Sequence, residues 1–64
     1  MSNPHEVFQN AHQGDVVRYQ LRGPASPEEK QEVKEALEKQ YPDLTFIIEA
    51  DGAISNAEVV ANHG

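Results

Sequence analysis

The chain contains no cysteine and no tryptophan, and apolar runs are short throughout. Without cysteine, neither a disulfide framework nor a thiolate zinc site can stabilise its 64 residues. The absence of cysteine also fits a reducing compartment. No stretch approaches the roughly 18 to 20 apolar residues of a membrane span. The N-terminal "MSNPHEVFQNAHQG" lacks the basic and apolar regions of a signal peptide. We therefore expect one small cytoplasmic domain, residues 1–64, frayed at 1–3 and 62–64.

Basic residues are also scarce, since five lysines and arginines oppose eleven aspartates and glutamates, for a net charge of −6. A sequence-independent grip on DNA or RNA needs lysine and arginine to displace counterions from the phosphates. Anionic membrane surfaces attract the same residues. The composition therefore argues against direct binding to nucleic acid or to a membrane.

Two segments have the pattern of helices. In "NPHEVFQNAHQG", Asn3 is a cap, Pro4 takes the first helical position, and Val7 and Phe8 share one face. In "SPEEKQEVKEALEKQYP", Ser26 and Glu29 form a capping box. This longer helix has an apolar stripe that we expect to be buried, which consists of Val33, Ala36, Leu37 and Tyr41.

Three further segments indicate strands. "DVVRYQLRG" alternates apolar and polar residues, as a half-buried strand does. "LTFIIEA" and "AISNAEVVA" are joined by Asp51-Gly52, which is typical of a type I′ hairpin turn. Such a hairpin would place Phe46 opposite Ala57 and Ile48 opposite Ser55. The sequence thus predicts an α+β fold of order α-β-α-β-β, with a three-stranded mixed sheet and the long helix packed on one face.

The other face of this sheet carries more branched apolar residues than a solvated surface needs. Either the short N-terminal helix covers it with Val7 and Phe8, or it stays open and binds a partner. We favour the intramolecular cover. The residues concerned are Val16, Ile47, Ile54 and Val60.

No constellation of residues predicts catalysis or metal binding. "HEVFQNAH" resembles the H-E-x-x-H zinc pattern, but its second histidine, His12, comes three residues too late. His63 lies in the C-terminal tail, and no serine occupies a G-x-S-x-G turn. We expect a protein that is not an enzyme, with no catalytic residue, no metal and no cofactor.

The acidic residues are unevenly distributed along the chain. Residues 26–42 carry five glutamates against three lysines, and residues 43–64 carry four acids and no lysine or arginine. Helical geometry turns the glutamates of the long helix away from its apolar stripe. The sequence therefore predicts an acidic surface with two walls, a helix ridge and the hairpin. Its partner-binding residues are Glu28, Glu32, Glu35, Glu38, Glu49, Asp51 and Glu58.

In its size, acidity and lack of both cysteine and a catalytic constellation, the chain resembles small phage-encoded inhibitors, including anti-CRISPR and anti-restriction proteins. The resemblance implies an inhibitor that fills the basic surface of a nucleic-acid-binding protein or complex, and it extends to no single residue. We expect a monomer rather than a homodimer. The alternative is a structural or regulatory module that dimerises through its sheet. A metal-linked role for the histidines is a third possibility.

Overall fold

A computed structural model of the chain describes residues 4–62. It confirms the α+β class and the order α-β-α-β-β. The elements are α1 (Pro4–Asn10), β1 (Asp15–Arg22), α2 (Pro27–Gln40), β2 (Thr45–Gly52) and β3 (Asn56–Asn62). The cap predicted at Asn3 and the histidine at 63 lie outside the described residues.

The sheet has the order β2-β1-β3, so the predicted hairpin between the last two strands is wrong. β1 lies in the centre, parallel to β2 and antiparallel to β3. Val17 of β1 pairs with Phe46, and Tyr19 pairs with both Ile48 and Ala57. The predicted pairs Phe46–Ala57 and Ile48–Ser55 do not form because β1 separates the two strands.

The Asp51-Gly52 pair forms a bulge at the end of β2 instead of a hairpin turn. Gln20 pairs with Glu49 and Arg22 with Gly52, so β2 carries one extra residue over this interval. Asp51 has the positive φ of 64° that the turn prediction required. Its N–H donates to the carbonyl of Gly23, the residue that follows β1, at 2.7 Å. Residues 53–55 then connect β2 to β3, on the far side of β1.

Both helices pack on the same face of the sheet, with α1 over β3 and α2 over β2. Phe8 of α1 packs against both the sheet and the end of α2, because its ring centroid lies 5.2 Å from that of Phe46 and 5.5 Å from that of Tyr41. The expectation that α1 covers the second face is therefore wrong. Ile47 and Val60 on that face are 46% and 48% exposed.

The predicted cap of α2 is confirmed, whereas its apolar stripe is partly wrong. Ser26 Oγ accepts the Glu29 N–H at 3.1 Å, and the Glu29 carboxylate accepts the Ser26 N–H. Leu37 and Tyr41 pack against the core, but Ala36 is exposed. The reason is that α2 lies over the edge strand β2, and Ala36 is on the side of the helix turned away from it.

The C-terminal part of β3 is more ordered than expected. Asn62, predicted to be frayed, pairs with Asp15 of β1, and its side-chain amide donates to the Asp15 carboxylate. Neither helix within residues 4–62 combines the length and the apolar character that a membrane crossing requires.

Candidate functional site

Three glutamates of helix α2 lie on a different side of the helix from two of its lysines. Glu28, Glu32 and Glu35 are exposed on its outer side, and we call these three residues the outer acidic face. Lys30 and Lys34 are half-buried on the side toward β2. The Ser26 cap fixes the residue at which the helix begins. The helical period of 3.6 residues then determines on which side each of these charged side chains lies. One helix therefore presents acid to solvent and places two lysines beside the sheet.

Glu38 does not belong to the outer acidic face, although the sequence placed it there. Its carboxylate is half-buried and accepts the Phe46 N–H of β2 at 3.3 Å. β2 is an edge strand, and this N–H faces its outer edge, where no strand of the described sheet can accept it. Glu38 thus satisfies a backbone donor, which gives it a structural role.

Glu49 and Glu58 lie on the opposite side of the sheet, beside Arg18 of the central strand. We call the sheet face away from both helices the open face. The Arg18 guanidinium pairs with Glu49 at 3.5 Å and also contacts Glu58. One cation therefore offsets two of the predicted binding acids, so the charge available to a partner on this face is smaller than the sequence indicates.

The seven predicted binding residues accordingly fall in separate places. The structure brings Glu28, Glu32 and Glu35 together on α2, and it brings Glu49 and Glu58 together on the open face, with the sheet between the two groups. Asp51 is exposed at the bulge that ends β2. Because the predicted hairpin does not form, the helix ridge and the hairpin do not make one continuous acidic surface.

The histidines do not form a metal centre within residues 4–62, where no three His, Cys, Asp or Glu side chains come together. The His5 ring contacts Phe8 edge-on, with centroids 6.1 Å apart. His12 Nδ1 lies 4.0 Å from the Asp15 carboxylate, and its side chain is 89% exposed. The predicted candidate His63 lies beyond the described range.

Asp15 is a buried carboxylate whose structural role the sequence does not indicate. It is buried at the start of β1 and accepts the His12 N–H at 2.8 Å and the Asn62 side-chain amide. These hydrogen bonds, from His12 first and Asn62 second, hold the pKa of Asp15 below its ordinary value of 3.8. The position of Asp15 directly after Gly14 is consistent with the end of a loop. Nothing in the sequence, however, indicates its contact with Asn62.

We expect acid to destabilise the protein through Asp15. Because its folded-state pKa lies below 3.8, the folded protein binds fewer protons than the unfolded chain near that pH. The free energy of unfolding therefore falls as the pH drops from about 5 through the folded-state pKa. Urea titrations should show Asp15→Asn less stable than the parent near neutral pH, with a gap that narrows in acid. Asp43→Asn is the exposed control, and a gap independent of pH contradicts the assignment.

No family model, curated protein sequence or solved structure matches this chain.

Proposed function

We propose that this chain is a non-catalytic inhibitor that binds the basic surface of a nucleic-acid-binding protein or complex. The outer acidic face of α2 makes the contact. The observation that carries the proposal is that none of its three carboxylates is ion-paired with any cation of the described chain. All three are exposed, so their charge is available to a partner.

The spacing of these carboxylates supports the proposal. Glu28, Glu32 and Glu35 are separated by four and three residues, which corresponds to about 6 and 4.5 Å along the helix axis. This is in the range of the spacing between successive phosphates on a nucleic-acid strand. A rigid row of negative charge at that spacing steers a basic partner electrostatically and competes for the groups that hold phosphates.

The non-catalytic part of the proposal is supported by the state of Asp15, the buried carboxylate. General base catalysis needs a carboxylate whose pKa is raised toward neutrality and whose oxygen is available to substrate. The pKa of Asp15 is lowered instead, and both its oxygens accept hydrogen bonds from the chain itself. Asp15 therefore joins β1 to β3 and is poorly suited to accept a proton.

The experiment is a competition. The tagged protein is used to isolate a partner from nuclease-treated lysate, and binding to the purified partner is then measured with increasing duplex or single-stranded nucleic acid. We expect nucleic acid to displace the protein, and we expect the affinity to fall steeply between about 0.05 and 0.5 M salt. Binding that persists under saturating nucleic acid and is insensitive to salt contradicts the proposal.

A second candidate function is dimerisation through the open face. The exposed Ile47 and Val60 favour it, because neither helix covers them. Exposed apolar residues beside an ion-paired Arg18 are compatible with an isologous contact between two copies. Sedimentation over a range of concentrations separates the two functions. We expect a monomer; a dimer that Ile47→Lys dissociates establishes the second candidate instead.

A further inference from the structure

The outer edge of β2 is unpaired. Within the described sheet β2 pairs only with β1, so its other edge has no strand partner. The Phe46 N–H points to this edge, because it donates to Glu38 of α2. Peptide groups alternate in direction along a strand, so the N–H of Ile48 faces the same edge. Such an edge is a template for an added strand.

A groove of about 350 Å³ runs between this edge and α2. Its residues on the strand are Phe46, Ile47 and Ile48, and those on the helix include Lys30, Gln31 and Lys34. A groove bounded by a helix and an edge strand fits an extended peptide, because main-chain hydrogen bonds hold the peptide while alternate side chains contact the helix.

The charges of the groove select the peptide. Neither Lys30 nor Lys34 lies within ion-pair distance of a carboxylate in residues 4–62, although the chain carries a net charge of −6. The two lysines are separated by four residues, or about 6 Å along the helix axis. Side chains on one face of a strand recur every ~6.6 Å. Acidic side chains at alternate peptide positions therefore match the two ammonium groups.

We propose that this groove binds an extended peptide as a fourth strand beside β2, with acidic side chains at alternate positions facing Lys30 and Lys34. The Glu38 carboxylate already accepts the Phe46 N–H. The added strand therefore pairs with the part of β2 that follows Phe46. This site is distinct from the outer acidic face and uses the opposite side of α2. Each of the two proposals can fail without the other.

The first test uses a fluorescent heptapeptide of alternating Glu and Val, and polarisation measured at about 0.15 M salt, where screening over ~8 Å limits repulsion from distant carboxylates. We expect saturable binding that K30Q/K34Q weakens at least ~10-fold, or about 1.4 kcal/mol. The control R22Q/K39Q removes the same charge at exposed sites outside the groove and should change the affinity less than ~2-fold. Equal losses in both variants, or equal binding of a Lys–Val peptide, overturn the proposal.

The second test asks whether the peptide binds through backbone hydrogen bonds, and it changes the peptide rather than the protein. Two versions of the Glu–Val peptide are N-methylated at alternate amides, one at the odd positions and one at the even positions. Strand addition requires the amides of one set to face β2, so one version should lose binding and the other should retain it. Equal binding of both versions overturns strand addition. Sedimentation provides a further check. If it shows a dimer that the peptide cannot dissociate, the edge of β2 binds a second copy of the chain, and the peptide proposal is overturned.

Discussion

Replacing Phe8 with alanine is expected to abolish cooperative folding. Phe8 is 4% exposed, and its ring lies within 5.2 to 5.6 Å of the rings of Tyr19, Tyr41 and Phe46. Removing a buried phenylalanine typically costs about 3–5 kcal/mol. That equals the stability a core of this size usually provides, also about 3–5 kcal/mol. α1 has seven residues, too few to remain helical without its packing contacts.

Urea denaturation followed by circular dichroism measures this effect. Phe8→Leu keeps much of the buried volume and should cost less than Phe8→Ala, by an amount of about 1.5 kcal/mol or more. Val7→Ala, at the half-buried neighbouring position, controls for helix propensity. If the free energy of unfolding of Phe8→Ala lies within about 0.5 kcal/mol of the parent value, the aromatic contacts of Phe8 contribute little to folding.

Reversing charge on the outer acidic face is expected to give the largest change in partner binding. The variant E32K/E35K changes the net charge from −6 to −2 and turns two contact carboxylates into cations. At contact distance each unit charge contributes on the order of 1 kcal/mol in water. A change of four charge units, with the interaction reduced by salt screening, corresponds to at least ~100-fold weaker binding. Glu28 is left intact because a lysine in the first turn opposes the helix dipole.

The matched control for this reversal is E6K/D43K. It produces the same net charge of −2 by changing two exposed acids that lie outside α2. It should bind the partner within ~3-fold of the parent, because distant charges act mainly through screened steering. Far-UV circular dichroism confirms that both variants keep their helices. Equal weakening in the two variants means that net charge alone, and not the outer acidic face, determines binding.

Local signals in the sequence predicted the elements well. The capping box of Ser26 and Glu29 fixed the start of α2, and Pro42 fixed its end near Gln40. The alternation around Tyr19 predicted β1. These features succeed because a cap or a side-chain period depends on neighbouring residues only, and the structure confirms both the order of the elements and the α+β class.

Strand order could not be derived in the same way. Asp51 does adopt the left-handed conformation that Asp-Gly predicts, but the chain uses it in a bulge rather than a two-residue turn. Both uses need the same φ at Asp51, so the local pattern is equally compatible with either. The choice depends on β1 taking the central position, which is a property of the whole chain.

The charged surfaces were predicted only where helical periodicity determines them. Glu28, Glu32 and Glu35 share the outer side of α2 as expected. The pairing of Glu49 and Glu58 with Arg18 depends on register with a strand far away in sequence, so it could not be anticipated. The role of Glu38 likewise depends on β2 being an edge strand, since only an edge leaves the Phe46 N–H for it to accept.

The order β2-β1-β3 also bears on how the chain folds. β1 pairs with β2 across α2 and with β3 across both α2 and β2, so each pairing with β1 closes a loop that contains at least the whole of α2. Non-local pairing of this kind slows folding relative to helical domains of similar length, because loop closure must precede the contacts. During synthesis β1 stays unpaired until β2 has been made. The contact between Asp15, at the start of β1, and Asn62, at the end of β3, can form only after all three strands have been made.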